Sequence, residues 1–246
     1  MPTAGVRMET LTLLDGSEPF DVSAHAASAG KPAVLFAVGA GGDPLRYGTL
    51  LAALANAGCT VIAPHFQRLA ATTPSEGELM RRARRLRLAM NSLTEASATV
   101  TAIGHSIGGA TLLALAGGQL WLGPGQHIEI PTAPRIRKLA LLATPTGFFR
   151  APGALDTVHA PLLAWAGSED HITPPAQSEW LVQTLQMQAL QTARTAQTTK
   201  LHITRGAGHF SCMDQPPPHT VEPLQDKHAF LEGLAGTLCR FVVGTD

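Results

Sequence analysis

The chain has 246 residues, of which 45% are hydrophobic, and its 18 basic residues balance its 18 acidic residues. This length and hydrophobic content are sufficient for one substantial core, and α/β folds often reach this length as a single domain, so we expect one domain over residues 1–246. The balanced charge disfavours nucleic acid or an anionic membrane as the main partner. A small, neutral or weakly charged substrate is favoured instead.

Cysteine content and the N-terminal segment indicate the cellular setting. Cys59, Cys212 and Cys239 are too few and too scattered for a disulfide framework or a zinc site, so we expect no metal and a reducing environment. The first residues include Glu9 and Asp15 and lack the charge and apolar block of a signal peptide. Glycine and proline interrupt every apolar stretch that is long enough to span a bilayer. The sequence therefore predicts a soluble, cytoplasmic protein.

Strand and helix patterns alternate along the chain. An N-terminal β-hairpin is predicted over about residues 6–24, because apolar and polar residues alternate around Asp15-Gly16-Ser17. Further strands, most of them the continuous apolar runs typical of a buried parallel sheet, are predicted at 33–38, 60–63, 99–103, 138–143, 161–166 and 199–203. Helices are predicted at 47–57, 76–92, 107–117, 175–190 and 227–243. This order predicts a core over about residues 33–243, with a mostly parallel central sheet covered by helices on both faces.

Two further segments have a distinctive composition. The predicted helix at 76–92 has arginines opposite its apolar stripe, namely Arg81, Arg82, Arg84, Arg85 and Arg87. They could form a patch that binds anions or membrane, but a solvated face is favoured in a neutral protein. Residues 119–135 contain three prolines and are predicted to form an irregular connection at the sheet edge opposite the site.

Residues 99–114 contain the most informative motif. A β-branched apolar run leads into a Gly-x-Ser-x-Gly turn, and an Ala- and Leu-rich helical pattern follows. This predicts a strand, a sharp corner at Ser106 and a helix, with Gly104 and Gly108 allowing their close approach. The Ser106 hydroxyl would then project above the sheet. The alternative is a glycine-rich turn that happens to contain a serine.

Two later residues could activate this serine. A serine hydroxyl is nearly unreactive at neutral pH, so it needs a base, and the base needs an acid to orient it. Asp170 follows the predicted strand at 161–166, and His209 lies in a glycine-flanked loop after the last predicted strand. Asp170 could instead cap a helix, and the chain has ten histidines. Together, the order Ser106, Asp170, His209 predicts the catalytic triad of a nucleophile-elbow enzyme.

Neighbouring residues have lesser predicted roles. His105 is expected to pack beside the turn, with its side chain directed away from that of Ser106. Glu169 and Asp214 are weaker candidates for the acid. Glu169 and Asp214 are therefore alternatives to Asp170 as the acid, and His105 is given no catalytic role.

A tetrahedral acyl-transfer intermediate carries an oxyanion, which needs donors that are fixed in advance and worth about 3–4 kcal/mol each. The backbone N–H of Ile107, at the start of the predicted helix, is one candidate. The N–H of Ala40 is the second, in the glycine-rich loop after Val38. An ordinary flexible turn would also suit the glycines of this loop.

These residues together resemble the α/β-hydrolase superfamily. The resemblance rests on the elbow from Gly104 to Gly109, the loop from Val38 to Gly42, Asp170, and Gly208-His209-Phe210. The resemblance covers about residues 33–243. Within the superfamily, the chain is similar to the dienelactone-hydrolase-like and small carboxylesterase branch. The resemblance implies an α/β-hydrolase fold and a hydrolase that needs no cofactor.

This chain departs from the family at two positions. Many members have His-Gly after the first core strand, whereas this chain has Val38-Gly39 and lacks that polar buttress. Dienelactone hydrolases have a cysteine nucleophile, whereas this chain has Ser106. The serine favours esterase-type chemistry.

The loops at the active edge are too short for a large cap domain, so the site is expected to be open. The apolar side chains expected to line it are Phe66, Phe148, Phe149, Leu155, Phe210 and Met213. The predicted activity is hydrolysis of a carboxylic ester or thioester of modest size. Alternatives are an acyltransferase that uses the same triad and a non-catalytic binding protein with the same fold. The oligomeric state is left open.

Overall fold

Strands and helices alternate along the residues that the computed structural model describes, which are 8–71, 73–192 and 198–244. The strands are β1 (Glu9–Asp15), β2 (Glu18–His25), β3 (Ala33–Ala37), β4 (Thr60–Pro64), β5 (Val100–His105), β6 (Leu120–Gly123), β7 (Gln126–Ile128), β8 (Ile136–Leu142), β9 (Leu162–Gly167) and β10 (Thr199–Thr204). The helices are α1 (Gly48–Asn56), α2 (Glu76–Leu93), α3 (Ile107–Leu115), α4 (Pro175–Gln191) and α5 (Lys227–Val243). The predicted hairpin is present as β1 and β2, while its expected first residues, 6 and 7, lie outside the described residues.

Eight strands form one sheet in the order β1-β2-β4-β3-β5-β8-β9-β10. The hairpin strands β1 and β2 pair in antiparallel orientation, β2 also joins β4 in antiparallel orientation, and all the other pairs of this sheet are parallel. The strands β3, β5 and β9 are buried along their whole length, as expected for a parallel sheet covered on both faces. The predicted mostly parallel sheet is therefore confirmed.

Helices cover both faces of this sheet. Alternate residues of β3 point to opposite sides, so Leu35 joins the core beneath α2, α3 and α4, whereas Phe36 joins the core beneath α1 and α5. The carboxyl ends of β3, β5, β8, β9 and β10 meet at one edge, because parallel strands point the same way. The loops at this edge carry the candidate site.

The connection at 119–135 contains structure that its prolines led us not to expect. β6 and β7 form a short antiparallel hairpin. Pro124 lies in the turn between the two strands, where its missing N–H interrupts no ladder, and Gly125 supplies a positive φ of 73°. The prediction that this segment lies away from the site agrees with its position, since none of it lines the cavity beside Ser106.

The arginine-rich face of α2 is not solvated throughout, which corrects the favoured interpretation. Arg82 and Arg85 are only 3% and 8% exposed. Arg85 forms ion pairs with Asp15 at 3.1 Å and Glu18 at 2.8 Å, which belong to the N-terminal hairpin. The hairpin covers this face in the folded protein, a contact between segments far apart in sequence.

Within the described residues, no helix has both the length and the hydropathy needed to cross a membrane.

Candidate active site

Ser106 lies at the corner between β5 and α3. Its φ of 53° and ψ of −128° fall in a region that costs a non-glycine residue about 1–3 kcal/mol, so the surrounding structure must impose the turn. The Ser106 N–H donates to the Leu142 carbonyl oxygen at 2.8 Å, and its own carbonyl oxygen accepts from Ala110 at 3.2 Å. These bonds hold the corner between the neighbouring strand and the first turn of the helix.

The two motif glycines are required by close contacts. A Cβ at Gly108 would lie 2.3 Å from the Ala37 carbonyl oxygen, and a Cβ at Gly104 would lie 2.6 Å from the Gly109 nitrogen. Real Cβ atoms do not approach other atoms this closely. The spacing of the two glycines therefore follows from the packing of helix against strand.

The structure brings Ser106, His209 and Asp170 together. His209 Nε2 lies 3.1 Å from Ser106 Oγ, and His209 Nδ1 lies 2.9 Å from Asp170 Oδ2. His209 and Asp170 are 6% and 2% exposed, whereas Ser106 is half-buried and faces a cavity. The hydroxyl, the imidazole and the carboxylate thus form one hydrogen-bonded series, which is the arrangement that activation of a serine hydroxyl requires.

Asp170 is held as a carboxylate. Its Oδ1 accepts backbone hydrogen bonds from Ile172 at 2.9 Å and Thr173 at 2.8 Å, and its Oδ2 accepts from the Thr173 hydroxyl at 2.7 Å. Burial acts to raise the pKa of Asp170, but the hydrogen bond and charge of His209, with the Thr173 hydrogen bonds, outweigh it and hold the pKa below its ordinary value. The carboxylate is thus available to orient the imidazole.

The contacts do not support a capping role for Asp170, and they do not support Glu169 or Asp214 as the acid. Asp170 does not cap α4, because that helix begins at Pro175 with no side-chain cap. Glu169 is exposed and accepts from Ser168 Oγ at 3.1 Å. Asp214 accepts from the backbone N–H of Thr49 at 3.0 Å and from its hydroxyl. Neither of these two carboxylates is bonded to His209.

His105 lies beside the turn, as expected, but it is also part of a buried hydrogen-bond chain. Its Nε2 lies 2.9 Å from the His209 carbonyl oxygen, and its Nδ1 lies 2.8 Å from the Tyr47 hydroxyl. A carbonyl oxygen only accepts, so Nε2 carries the proton, Nδ1 accepts from Tyr47, and the Tyr47 oxygen accepts from Gly39 N–H at 3.3 Å. This chain links the glycine-rich loop, the elbow and the His209 loop.

Burial keeps His105 neutral. The loss of hydration, followed by the electrostatic effect of the nearby His209 ring, lowers the pKa of His105 to about 3. The side chain is 1% exposed. His105 therefore acts as a neutral donor and acceptor at physiological pH, and the hydrogen-bond chain keeps one direction.

The two predicted oxyanion donors, Ala40 and Ile107, line the same cavity as Ser106. Ile107 is the first residue of α3, so its N–H has no acceptor within the helix. The glycine-rich loop is tied down by hydrogen bonds from Gly42 N to Gly39 O at 3.2 Å and from Leu69 N to Ala40 O at 2.9 Å. The loop is thus anchored rather than freely flexible.

Other residues supply the polar support that Val38-Gly39 lacks in its own side chains. Tyr47 contacts the Gly39 N–H, and the buried guanidinium of Arg82 donates to the carbonyl oxygens of Val38 and Gly39. Both residues and Thr173 were missed. Only Thr173 could have been identified from the local sequence. It lies three residues after Asp170, a spacing at which its amide and hydroxyl can donate hydrogen bonds to the carboxylate.

A cavity of about 550 Å³ opens beside Ser106. Three of the residues named from the sequence line it, namely Phe148, Phe210 and Met213. Ile172 and Leu69 line it as well, and neither was predicted. Since the lining is largely apolar, the cavity suits an apolar group of modest size.

Three predicted lining residues do not reach this cavity. Phe149 and Leu155 are 1% and 2% exposed and belong to the core beneath α2, α3 and α4. Their side chains therefore point into the core and not into the cavity. Phe66 lies beneath the Arg82 guanidinium, whose carbon is 4.7 Å from the ring centre. The cavity wall is therefore less aromatic than the sequence predicted.

Across the described residues, no group of three or more His, Cys, Asp or Glu side chains is arranged to hold a metal ion.

No protein-family model and no curated protein matches the sequence. Solved structures match its fold. A candidate dienelactone hydrolase from Klebsiella pneumoniae aligns with a TM-score of 0.64 at 14% identity, covering 98% of this chain and 99% of that one. The esterase domain of a Rhodothermus marinus protein aligns with a TM-score of 0.56 at 20% identity, covering 96% and 99%.

A third structure is described as an α/β serine hydrolase without a lid, from Xanthomonas campestris. It aligns with a TM-score of 0.58 at 19% identity, covering 100% of this chain and 97% of that one. At these identities the likeness concerns the fold. The protein has the α/β-hydrolase fold, and the described residues include no large cap domain.

Proposed function

We propose that this protein is a serine hydrolase that cleaves a carboxylic ester or thioester of modest size through an acyl-enzyme. The observation that carries the proposal is the alignment of Ser106 Oγ with His209 Nε2 at 3.1 Å, and of His209 Nδ1 with Asp170 Oδ2 at 2.9 Å. The similarity in fold to esterases and a serine hydrolase supports it.

In the proposed reaction, Ser106 Oγ attacks the ester carbonyl carbon while His209 Nε2 takes the hydroxyl proton. The resulting oxyanion accepts hydrogen bonds from the Ala40 and Ile107 amides, and Asp170 stabilises the imidazolium. The intermediate collapses, the bond to the leaving alcohol or thiol breaks, and His209 returns the proton to that group. Ser106 then carries the acyl group as an ester.

Water completes the cycle. His209 takes a proton from a water molecule as its oxygen attacks the acyl carbon, and a second tetrahedral intermediate forms. Collapse breaks the bond to Ser106 Oγ, which regains the proton from His209. The carboxylic acid leaves, and every group of the protein returns to its starting state.

Labelling with a fluorophosphonate probe, combined with a p-nitrophenyl ester panel of increasing acyl length, tests the proposal. We expect the unmutated protein to label and to hydrolyse short esters, and Ser106→Ala to lose labelling and at least about 10⁴-fold in kcat. Ser92→Ala, an exposed serine at the end of α2, is the matched control and should keep both. Absence of labelling and turnover in the unmutated protein would contradict the proposal.

The same assay separates the alternatives that the sequence left open. An acyltransferase would form the ester of an added alcohol in preference to the free acid. A binding protein would neither label nor turn over any ester. The proposed hydrolase releases the free acid, and the amount of acid stays proportional to the p-nitrophenol.

A further inference from the structure

Arg82 is a buried cation that forms no ion pair within 4 Å of a carboxylate among residues 8–71, 73–192 and 198–244, although Glu78, one turn earlier on α2, favours its charge from a greater distance. It is 3% exposed. Its guanidinium is instead bonded to backbone carbonyl oxygens and stacked on the Phe66 ring. A buried charge is costly unless it is paired, so this arrangement calls for an explanation beyond packing.

The carbonyl oxygens that bind Arg82 belong to the glycine-rich loop. Nη1 lies 3.1 Å from Val38 O and 3.3 Å from Gly39 O, and Nη2 lies 3.4 Å from Gly39 O. The Gly39 carbonyl and the Ala40 N–H form one peptide group. Because that group is planar and trans, its N–H points away from the side on which Arg82 binds the oxygen.

The opposite side of this peptide is the cavity. Ala40 lines the cavity with Ser106, and a Cβ on Gly39 would lie 3.5 Å from the Ser106 Cβ. Arg82 itself is not among the cavity-lining residues. The guanidinium therefore lies behind the loop and cannot touch a substrate bound at Ser106.

We propose that Arg82 is a positioning residue for oxyanion binding, which fixes the Gly39–Ala40 peptide with its N–H toward Ser106 and polarises that N–H through the carbonyl oxygen. The inference rests on the proposed function, since it concerns the donor that the acyl-transfer reaction would use. Hydrogen bonds in a chain strengthen one another, and a charged donor does so more than a neutral one.

The charge is present under working conditions. Burial lowers the pKa of Arg82 to about 10, so the guanidinium remains protonated at neutral pH. The other donor to Gly39 O is the neutral amide of Gly42, at 3.2 Å. Arg82 therefore adds a positive charge behind the predicted oxyanion donor, on the far side from the developing negative charge.

Arg85 offers a matched control on the same helix. It is also buried, its guanidinium carbon lies 5.1 Å from the Phe20 ring centre, and it binds Asp15 and Glu18 of the N-terminal hairpin. It makes no contact with the glycine-rich loop among the described hydrogen bonds. Loss of Arg85 should reduce stability without changing the peptide that faces Ser106.

The experiment compares Arg82→Met, Arg82→Lys and Arg85→Met with the unmutated protein. We expect Arg82→Met to lower kcat by about 10- to 100-fold, less than the roughly 10²- to 10³-fold cost of removing an oxyanion donor, with KM changed by less than about threefold. The inhibition constant of phenylboronic acid, which forms a tetrahedral adduct on a nucleophilic serine, should rise in parallel. Arg82→Lys should recover part of kcat, and Arg85→Met should stay within about twofold of the unmutated kcat.

Three results would overturn the inference: a folded Arg82→Met with unmutated kcat, an equal loss of kcat in Arg85→Met, or a loss of kcat without weaker boronate binding. If Arg82→Met does not fold, the test rests on Arg82→Lys. A lower kcat than that of the unmutated protein, at unchanged KM, supports the inference, and an equal kcat overturns it. An unmutated protein that neither labels with fluorophosphonate nor hydrolyses esters contradicts the proposed function itself. An unmutated protein that is active, with equally active Arg82 variants, contradicts this inference alone.

Discussion

The His105 side chain donates from Nε2 to the backbone carbonyl oxygen of His209, at 2.9 Å. The bond joins the residue before the candidate nucleophile to the main chain of the candidate base. Because Nδ1 of the same ring accepts from Tyr47, which contacts Gly39, one neutral imidazole connects three loops of the site. The buried ring must stay unprotonated to do so.

The pH dependence of stability should report this requirement. The pKa of His105 is lowered to about 3, so between pH 3 and 6.5 the unfolded chain binds a proton at this residue and the folded protein does not. The contribution of neutral His105 to the free energy of unfolding is therefore fully present above about pH 6.5. Below that pH it declines by about 1.4 kcal/mol per pH unit, until about pH 3. The free energy of unfolding can be measured with urea at pH 7.5 and at pH 5.0. Between these two pH values, we expect it to fall by about 2 kcal/mol less in His105→Gln than in the unmutated protein. Equal losses in the two proteins would contradict the prediction.

Thr173 should tune the acid rather than supply it. Its hydroxyl lies 2.7 Å from Asp170 Oδ2 and 3.0 Å from His209 Nδ1. A hydrogen bond to a charged group is worth about 1.5–3 kcal/mol, and other donors to Asp170 remain, so we expect Thr173→Val to lower kcat by about tenfold. Asp170→Asn should cost about 10⁴-fold, because the imidazole loses its orienting acceptor. Thr173→Ser keeps the hydroxyl and should retain most of kcat; an equal loss in the Ser and Val variants would count against this role.

Gly108 should be intolerant of a side chain, and Gly233 should not. A Cβ at Gly108 would lie 2.3 Å from Ala37 O and 2.5 Å from Val38 O, so Gly108→Ala is expected to destabilise the fold by about 2–3 kcal/mol. Gly233 lies exposed within α5 with no atom within 4 Å of the position that a Cβ would occupy. Gly233→Ala should stabilise by about 0.5–1 kcal/mol. Thermal unfolding of both variants checks the difference in sign.

Adjacent phenylalanines should have different effects. Phe148 lines the cavity, so Phe148→Ala should shift the preference in the ester panel toward longer acyl chains with little loss of stability. Phe149 is 1% exposed and contacts Gly118, so Phe149→Ala should cost about 3–5 kcal/mol and leave the acyl preference unchanged. A changed preference in Phe149→Ala, or a large loss of stability in Phe148→Ala, would contradict this assignment.

Local patterns predicted the parts of the site that each element carries within itself. The elbow at Ser106 is a contiguous motif, and its glycines are required by contacts between one strand and its own helix. Asp170 and His209 were identified because each follows a strand, and parallel strands bring their carboxyl ends to one edge. Chain order was therefore sufficient to predict that these three residues meet.

Contacts between segments that are far apart in the chain could not be predicted from the sequence. Arg82 has the same helical pattern as its exposed neighbours, and only the position of α2 behind the Val38–Gly39 carbonyls buries it. Phe149 and Phe148 differ only in which side of a short turn each faces.

The sequence by itself thus determined the fold class and the alignment of Ser106, His209 and Asp170, because hydrophobic periodicity and turn chemistry are local. The tertiary structure alone decided which distant groups support the site, including Tyr47 at His105 and Arg82 behind the glycine-rich loop. Burial and hydrogen bonding depend on which surfaces meet, and that property belongs to pairs of segments rather than to either one.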